Sequence, residues 1–80
     1  MTKLEKMILD KGVKIYHISR DTFVWRSTIY DIIQGKTTIL NIPAKTALEI
    51  CNYLECNIMD LVDDDDEYRR VAEEYTNRNS

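Results

Sequence analysis

The sequence predicts an all-α fold of five short helices over residues 1–62, followed by an acidic tail over 63–80. Three observations predict it. Apolar residues recur at the i, i+3, i+4 spacing of a buried helical face. The two glycines and the single proline fall between these runs, where helices stop and start. No run alternates apolar and polar residues as a strand requires, and no hairpin turn is present.

The first helix carries Leu4, Met7 and Ile8 among Lys and Glu and ends near Asp10-Lys11-Gly12. Val13-Lys14 is a tight connector. Ile15, Ile18 and Thr22 form the inner side of a second helix over Lys14 to Asp21 or Thr22. A turn around Phe23-Val24 leads to a third helix ending at Gly35, with Ile29, Ile32 and Ile33 as its apolar stripe. Lys36 to Ile42 reads as a loop. Pro43 suits the first turn of a fourth helix, whose core face is Ala47, Ile50, Cys51 and Leu54. Asn57 is placed to cap a last short helix, Ile58 to Val62. The predicted core is Ile29, Ile32, Ile33, Ile50, Leu54, Ile58 and Leu61.

Asp63-Asp64-Asp65-Asp66 ends the pattern. The segment after it has two readings. One is a solvated, partly frayed tail. The other is a sixth helix whose stripe of Tyr68, Val71 or Ala72, and Tyr75 packs on the domain or on a second subunit. Residues 77–80 are expected to be disordered.

Eighty residues make one domain. The balance of 44 % hydrophobic and 31 % charged residues is ordinary for a globular protein. No segment approaches a membrane span, and the N-terminus lacks the apolar stretch of a signal peptide, so a cytoplasmic location is expected. Cys51 and Cys56 do not have zinc-ligand spacing, and the only histidine, His17, is distant in sequence. They read as two small thiols in a reducing compartment. No metal or cofactor is expected. No nucleophile–base pair, metal-ligand cluster or phosphate-cradling glycine loop points to an enzyme.

The net charge of −3 is uneven. Residues 1–62 hold eight Lys/Arg against seven Asp/Glu, a net of +1. Residues 63–80 hold three Arg against seven Asp/Glu, a net of −4. A core this close to neutral lacks the strongly basic footprint of a tight nucleic-acid binder acting alone.

The third helix carries the chemistry. Away from its isoleucine stripe lie Arg26, Ser27, Thr28, Tyr30, Asp31 and Gln34. These side chains can donate to or accept from base edges and phosphates. A short, polar-faced helix braced by others is what a helix-turn-helix inserts into a major groove.

The run from Ile18 to Lys36 resembles the helix-turn-helix of the lambda-repressor/Cro/Xre class. Ser27-Thr28-Ile29, Gly35-Lys36 and the closing Ile58-Met59-Asp60-Leu61 are its most specific pieces. Thr46 to Leu54 and Cys56 to Val62 look like that family's fourth and fifth helices. The resemblance covers residues 3–62, about three quarters of the chain. It implies a five-helix lambda-repressor-like DNA-binding domain. Four features depart from the family pattern: Phe23 stands where the turn usually has glycine, Trp25 where a small capping residue is usual, Lys14 at the cap position of the second helix, and the loop before Pro43 is about three residues longer than the family's commonest form. A left-handed Phe23 would cost on the order of 1 kcal/mol, or else the chain turns differently there.

Position by position, the resemblance implies that Arg26 and Ser27 read bases and that Thr28 touches a thymine methyl or a phosphate. Tyr30 and Asp31 lie one turn further on. Asp31 can accept from cytosine or orient a cation. Gln34, the Gly35 and Lys36 amides, Thr37 and Thr38 form a phosphate clamp. Ile15, Tyr16 and His17 offer backbone amides and a phenol to phosphate at the start of the second helix. Trp25 packs on the second helix, lies on the sugar-phosphate backbone, or faces a partner. The implied function is a repressor-like transcriptional regulator reading a pseudo-palindromic operator on double-stranded DNA as a homodimer. The alternative is an antitoxin or accessory protein whose acidic tail engages a protein partner.

Overall fold

The computed structural model describes residues 1–79, with side chains at all of these but 75 and 77–79. Five α-helices follow in order: α1 Lys3–Asp10, α2 Ile15–Asp21, α3 Arg26–Ile33, α4 Ala44–Leu54 and α5 Asp65–Asn79. Two 3-10 turns, Ile39–Asn41 and Ile58–Leu61, flank α4. The all-helical architecture expected from the sequence is the one observed.

Local chemistry sets each boundary. The Thr2 hydroxyl accepts the Glu5 amide at 3.3 Å and caps α1. α2 stops at Thr22, whose hydroxyl donates to the Ile18 carbonyl at 2.6 Å and accepts the Val24 amide at 3.1 Å. One hydroxyl therefore ties the helix end to the turn that follows. α3 stops at Gly35, in the left-handed region at φ +79°. Asp60 accepts the Asn57 amide at 2.9 Å and fixes the start of the second 3-10 turn. The first turn of α5 carries Asp65, Asp66 and Glu67 at the positive end of the helix dipole.

Thirteen apolar side chains form the core, and no polar or charged side chain among the described residues is buried with them. α1 packs on α3 and the second 3-10 turn, α2 on α3, and α4 on both turns. Leu4, Ile8 and Ile18 are buried on the inner faces expected of the first two helices, and Val24, Ile39 and Val62, not assigned to the core from the sequence, complete it. Ile33 and Ile58, expected inside, are only half-buried at its edge. The stretch from Lys36 to Ile42 is not a plain loop, because its 3-10 turn drives Ile39 into the core.

One expectation changes and two open alternatives are decided. The helix expected over Ile58 to Val62 is a four-residue 3-10 turn. The turn residue Phe23 has no positive φ; the left-handed non-glycine residue is Glu55, at φ 54°, which ends α4. The tail is helical rather than frayed, and α5 reaches Asn79, so of the disordered end expected over 77–80 only Ser80 lies outside the described residues. Tyr68 and Val71 of the expected stripe are exposed. The side chain of Tyr75 lies outside the described residues.

α5 touches the body at its beginning. It packs on the first 3-10 turn, and Glu67 accepts the Thr38 hydroxyl at 3.1 Å. Just before it, Asp63 accepts the Lys3 amide at 2.8 Å. The helix is about 22 Å long at the standard rise. It stretches the molecule to 41 × 24 × 22 Å.

Candidate nucleic-acid interface

α3 is held by Ile29 and Ile32, which are buried, and by Val24 in the turn before it. Its outer side is free. Arg26, Ser27, Tyr30 and Gln34 are exposed, and Thr28 and Asp31 are half-exposed. Their spacing follows from the helix: with Ile29 and Ile32 inward, the residues between must point elsewhere. Among the described residues neither Arg26 nor Asp31 makes an ion pair, so the cation-orienting contact open to Asp31 is not formed.

The amides of the expected phosphate clamp are occupied. The Gly35 amide donates to the Ile32 carbonyl at 3.1 Å, and the Lys36 amide to the Asp31 carbonyl at 2.8 Å. These bonds close the C-terminus of α3. The Thr37 amide also reaches the Asp31 carbonyl, at 3.3 Å. What remains for an anion is side-chain chemistry: the Gln34 amide group, the exposed Lys36 ammonium and the half-buried Thr37 hydroxyl. Thr38 is engaged by Glu67.

α2 packs on α3. The His17 amide, one of the expected donors, is taken by the Lys14 carbonyl at 2.9 Å. Ile15 and Tyr16 keep the free amides of a first helical turn. Neither Lys14 nor Trp25, the residues preceding α2 and α3, caps its helix with a side chain. The Tyr16 ring is exposed, meets the His17 ring edge-on at 5.8 Å, and lies under the Arg20 guanidinium at 5.9 Å.

Arg20 is paired on the surface. Its guanidinium grips Asp21 through two bonds of 2.8 and 3.1 Å, and the Tyr53 hydroxyl donates to the same carboxylate at 3.3 Å. The Arg20 hydrogen bonds hold the Asp21 carboxyl below its ordinary range. Trp25 is 78 % exposed, which removes the option of packing on α2. Phe23, at 86 % exposure, meets the Lys45 ammonium 5.9 Å from its ring centre. Sequence reasoning missed this pair; partners 22 positions apart give no local signal.

A bundle with a short, exposed, polar helix held by its isoleucines is the arrangement of a groove-reading module. The family model for Cro/C1-type helix-turn-helix DNA-binding domains matches residues 3–67. The chain belongs to this family. The match takes in the first residues of α5, including Glu67. No curated protein and no solved structure matches the chain. No helix among the described residues is long and apolar enough to cross a membrane.

Proposed function

We propose that this Cro/C1-type domain is a sequence-specific transcriptional regulator that reads a pseudo-palindromic operator as a homodimer. The observation that carries the reading is α3 itself, with Ile29 and Ile32 buried and an uncovered face of Arg26, Ser27 and Gln34. Arg26 is the base reader, because an arginine fork fits the O6 and N7 of guanine and discriminates by about 1–3 kcal/mol. Ser27 and Thr28 contact bases or phosphates beside it. Tyr30 and Asp31 edge the groove. Gln34, Lys36, Thr37 and Thr38 hold one phosphate, and the start of α2, with Ile15, Tyr16 and His17, meets another. Trp25 lies over the sugar-phosphate backbone between them. A near-neutral core makes a single copy a weak binder, and two copies on half-sites about one helical turn apart supply the missing contacts. DNA as the target implies action in the cytoplasm.

Selection of bound duplexes from a random-sequence pool tests the reading, followed by shift assays of Arg26→Ala. Enrichment of an inverted repeat is the expected result, with relaxed preference at one base pair per half-site in the variant. Failure to enrich any sequence, with no salt-sensitive binding, defeats it. The accessory-protein reading rests on the acidic segment from Asp63 onward. Recovery of one constant partner from the native host, without operator enrichment, would favour it.

A further inference from the structure

The way α4 ends brings two particular side chains together. Glu55 takes the left-handed conformation at φ 54°. Its amide donates to the Asn52 carbonyl at 3.3 Å, and the Cys56 amide donates to the Cys51 carbonyl at 3.0 Å. This pair of bonds is the Schellman closure of a helix, in which the side chains at the two ends of the wider bond meet in an apolar contact. Any two apolar side chains would serve that contact. Here both are cysteine, and they are the only cysteines of the chain.

The backbone sets the distance. Two residues joined by an amide–carbonyl bond of 3.0 Å hold their Cα atoms within about 6 Å of each other, inside the range that a disulfide spans. Both thiols are free. Burial is the main influence on each, and each is also near enough to shift the ionisation of the other. Their access differs. Cys56 is half-buried, so a dissolved reagent reaches it first. Cys51 is buried in the core beneath it, at 4 % exposure, and is placed to meet what Cys56 has already bound. An accessible entry thiol backed by a sheltered resolving thiol is the arrangement that thiol–disulfide exchange uses.

We propose that Cys51 and Cys56 are a reversible oxidation site, which low-molecular-weight disulfides of the glutathione class close into an internal disulfide across the end of α4. Cys56, as thiolate, attacks one sulfur of the reagent and expels the other half as a thiolate. Cys51 gives its proton to solvent, attacks the Cys56 Sγ and expels the second half. The two protein sulfurs lose two electrons and gain one S–S bond. The reagent's S–S bond takes those electrons, and its two halves leave as thiols with the two protons released. In a reducing pool the pair stays open, and it closes when the ratio of disulfide to thiol rises. The closed form pins the start of the second 3-10 turn to α4, two elements that already pack together, so it forms without rearranging the bundle.

Equilibration of the full chain in buffers of graded oxidised to reduced glutathione tests it. Each sample is acid-quenched, unfolded, alkylated and weighed by mass spectrometry. The expected product is a single chain that has lost two hydrogens and both alkylation sites together, and that dithiothreitol restores. Cys51→Ala should stop at the mixed disulfide, carrying one glutathione on Cys56, while Cys56→Ala should stay unmodified. Circular dichroism confirms that the variants keep their helices. Because the folded chain holds the thiols together, closure in buffer should need an oxidised to reduced ratio about tenfold lower than closure in urea. By linkage the closed form should melt about 5–10 °C higher than the open one. Three results overturn the proposal whether or not the variants fold: a parent chain that stays reduced at every ratio, one that accumulates glutathione adducts or chain-to-chain disulfides instead, and one that closes no more readily folded than in urea. None of these outcomes depends on DNA binding.

Discussion

Glu67 sits where the proposed DNA contact should gain most from losing a charge. Its carboxylate accepts the Thr38 hydroxyl at 3.1 Å. The Thr38 hydroxyl has one proton, so a phosphate must take it from Glu67 and would then hold its charge about 5 Å from that carboxylate. Two unit charges at this separation in water repel by about 0.8 kcal/mol. Glu67→Gln leaves only a weaker, uncharged competitor for that proton and removes the charge, so operator binding should tighten about fourfold. The gain should fade as salt rises, since the screening length falls to about 8 Å at physiological ionic strength. Fluorescence anisotropy with a selected operator at low and high salt measures both effects. Glu74→Gln is the control, because it makes the same charge change about 10 Å further along α5. A Glu67→Gln protein that binds no tighter than Glu74→Gln refutes the argument and removes Thr38 from the phosphate contact.

Other outcomes follow from the fold. Ile29→Ala removes a fully buried side chain beneath the exposed face of α3 and should cost about 2–5 kcal/mol. A thermal melt should show the midpoint falling by about 10 °C or more. Glu55→Gly relieves the left-handed backbone at φ 54° and should stabilise by about 1 kcal/mol, raising the midpoint by about 4–8 °C. Burial pushes the Cys51 thiol up from 9.0 to about 11, so its contribution is intact below the ordinary value and is lost as pH climbs towards the folded one. Urea midpoints should therefore drop across that alkaline range, and less steeply in Cys51→Ala than in the parent.

Much of the fold was legible because helical burial leaves a periodic trace. Ile29 and Ile32 on α3 and Ala47, Ile50, Cys51 and Leu54 on α4 are buried as their spacing requires. Ile39 was missed because a single buried residue in a 3-10 turn has no period to detect. The Glu67–Thr38 bond spans 29 positions, and nothing local to either residue announces it. For the candidate interface, the exposed face of α3 could be read by subtraction from its isoleucine stripe. The clamp amides could not, because whether an amide is free depends on how the helix before it closes. The Gly35 and Lys36 amides are spent on that closure. Phe23 illustrates the same limit: a glycine-like position suggested strain, but Thr22 turns the chain by side-chain bonds instead, and the strain falls at Glu55.

The turn between α2 and α3 sorts three adjacent residues by duty. Val24 is buried, while Phe23 and Trp25 on either side face water. The valine alone anchors the turn to the core, so its size sets how the two helices meet. The aromatics contribute little to that anchoring and are free to vary. Substitution at 23 or 25 can alter what the surface recognises while the bundle beneath stays intact, whereas substitution at 24 changes the bundle first. New binding preferences are therefore most accessible, by selection or by engineering, at two positions separated by one that must be conserved for packing.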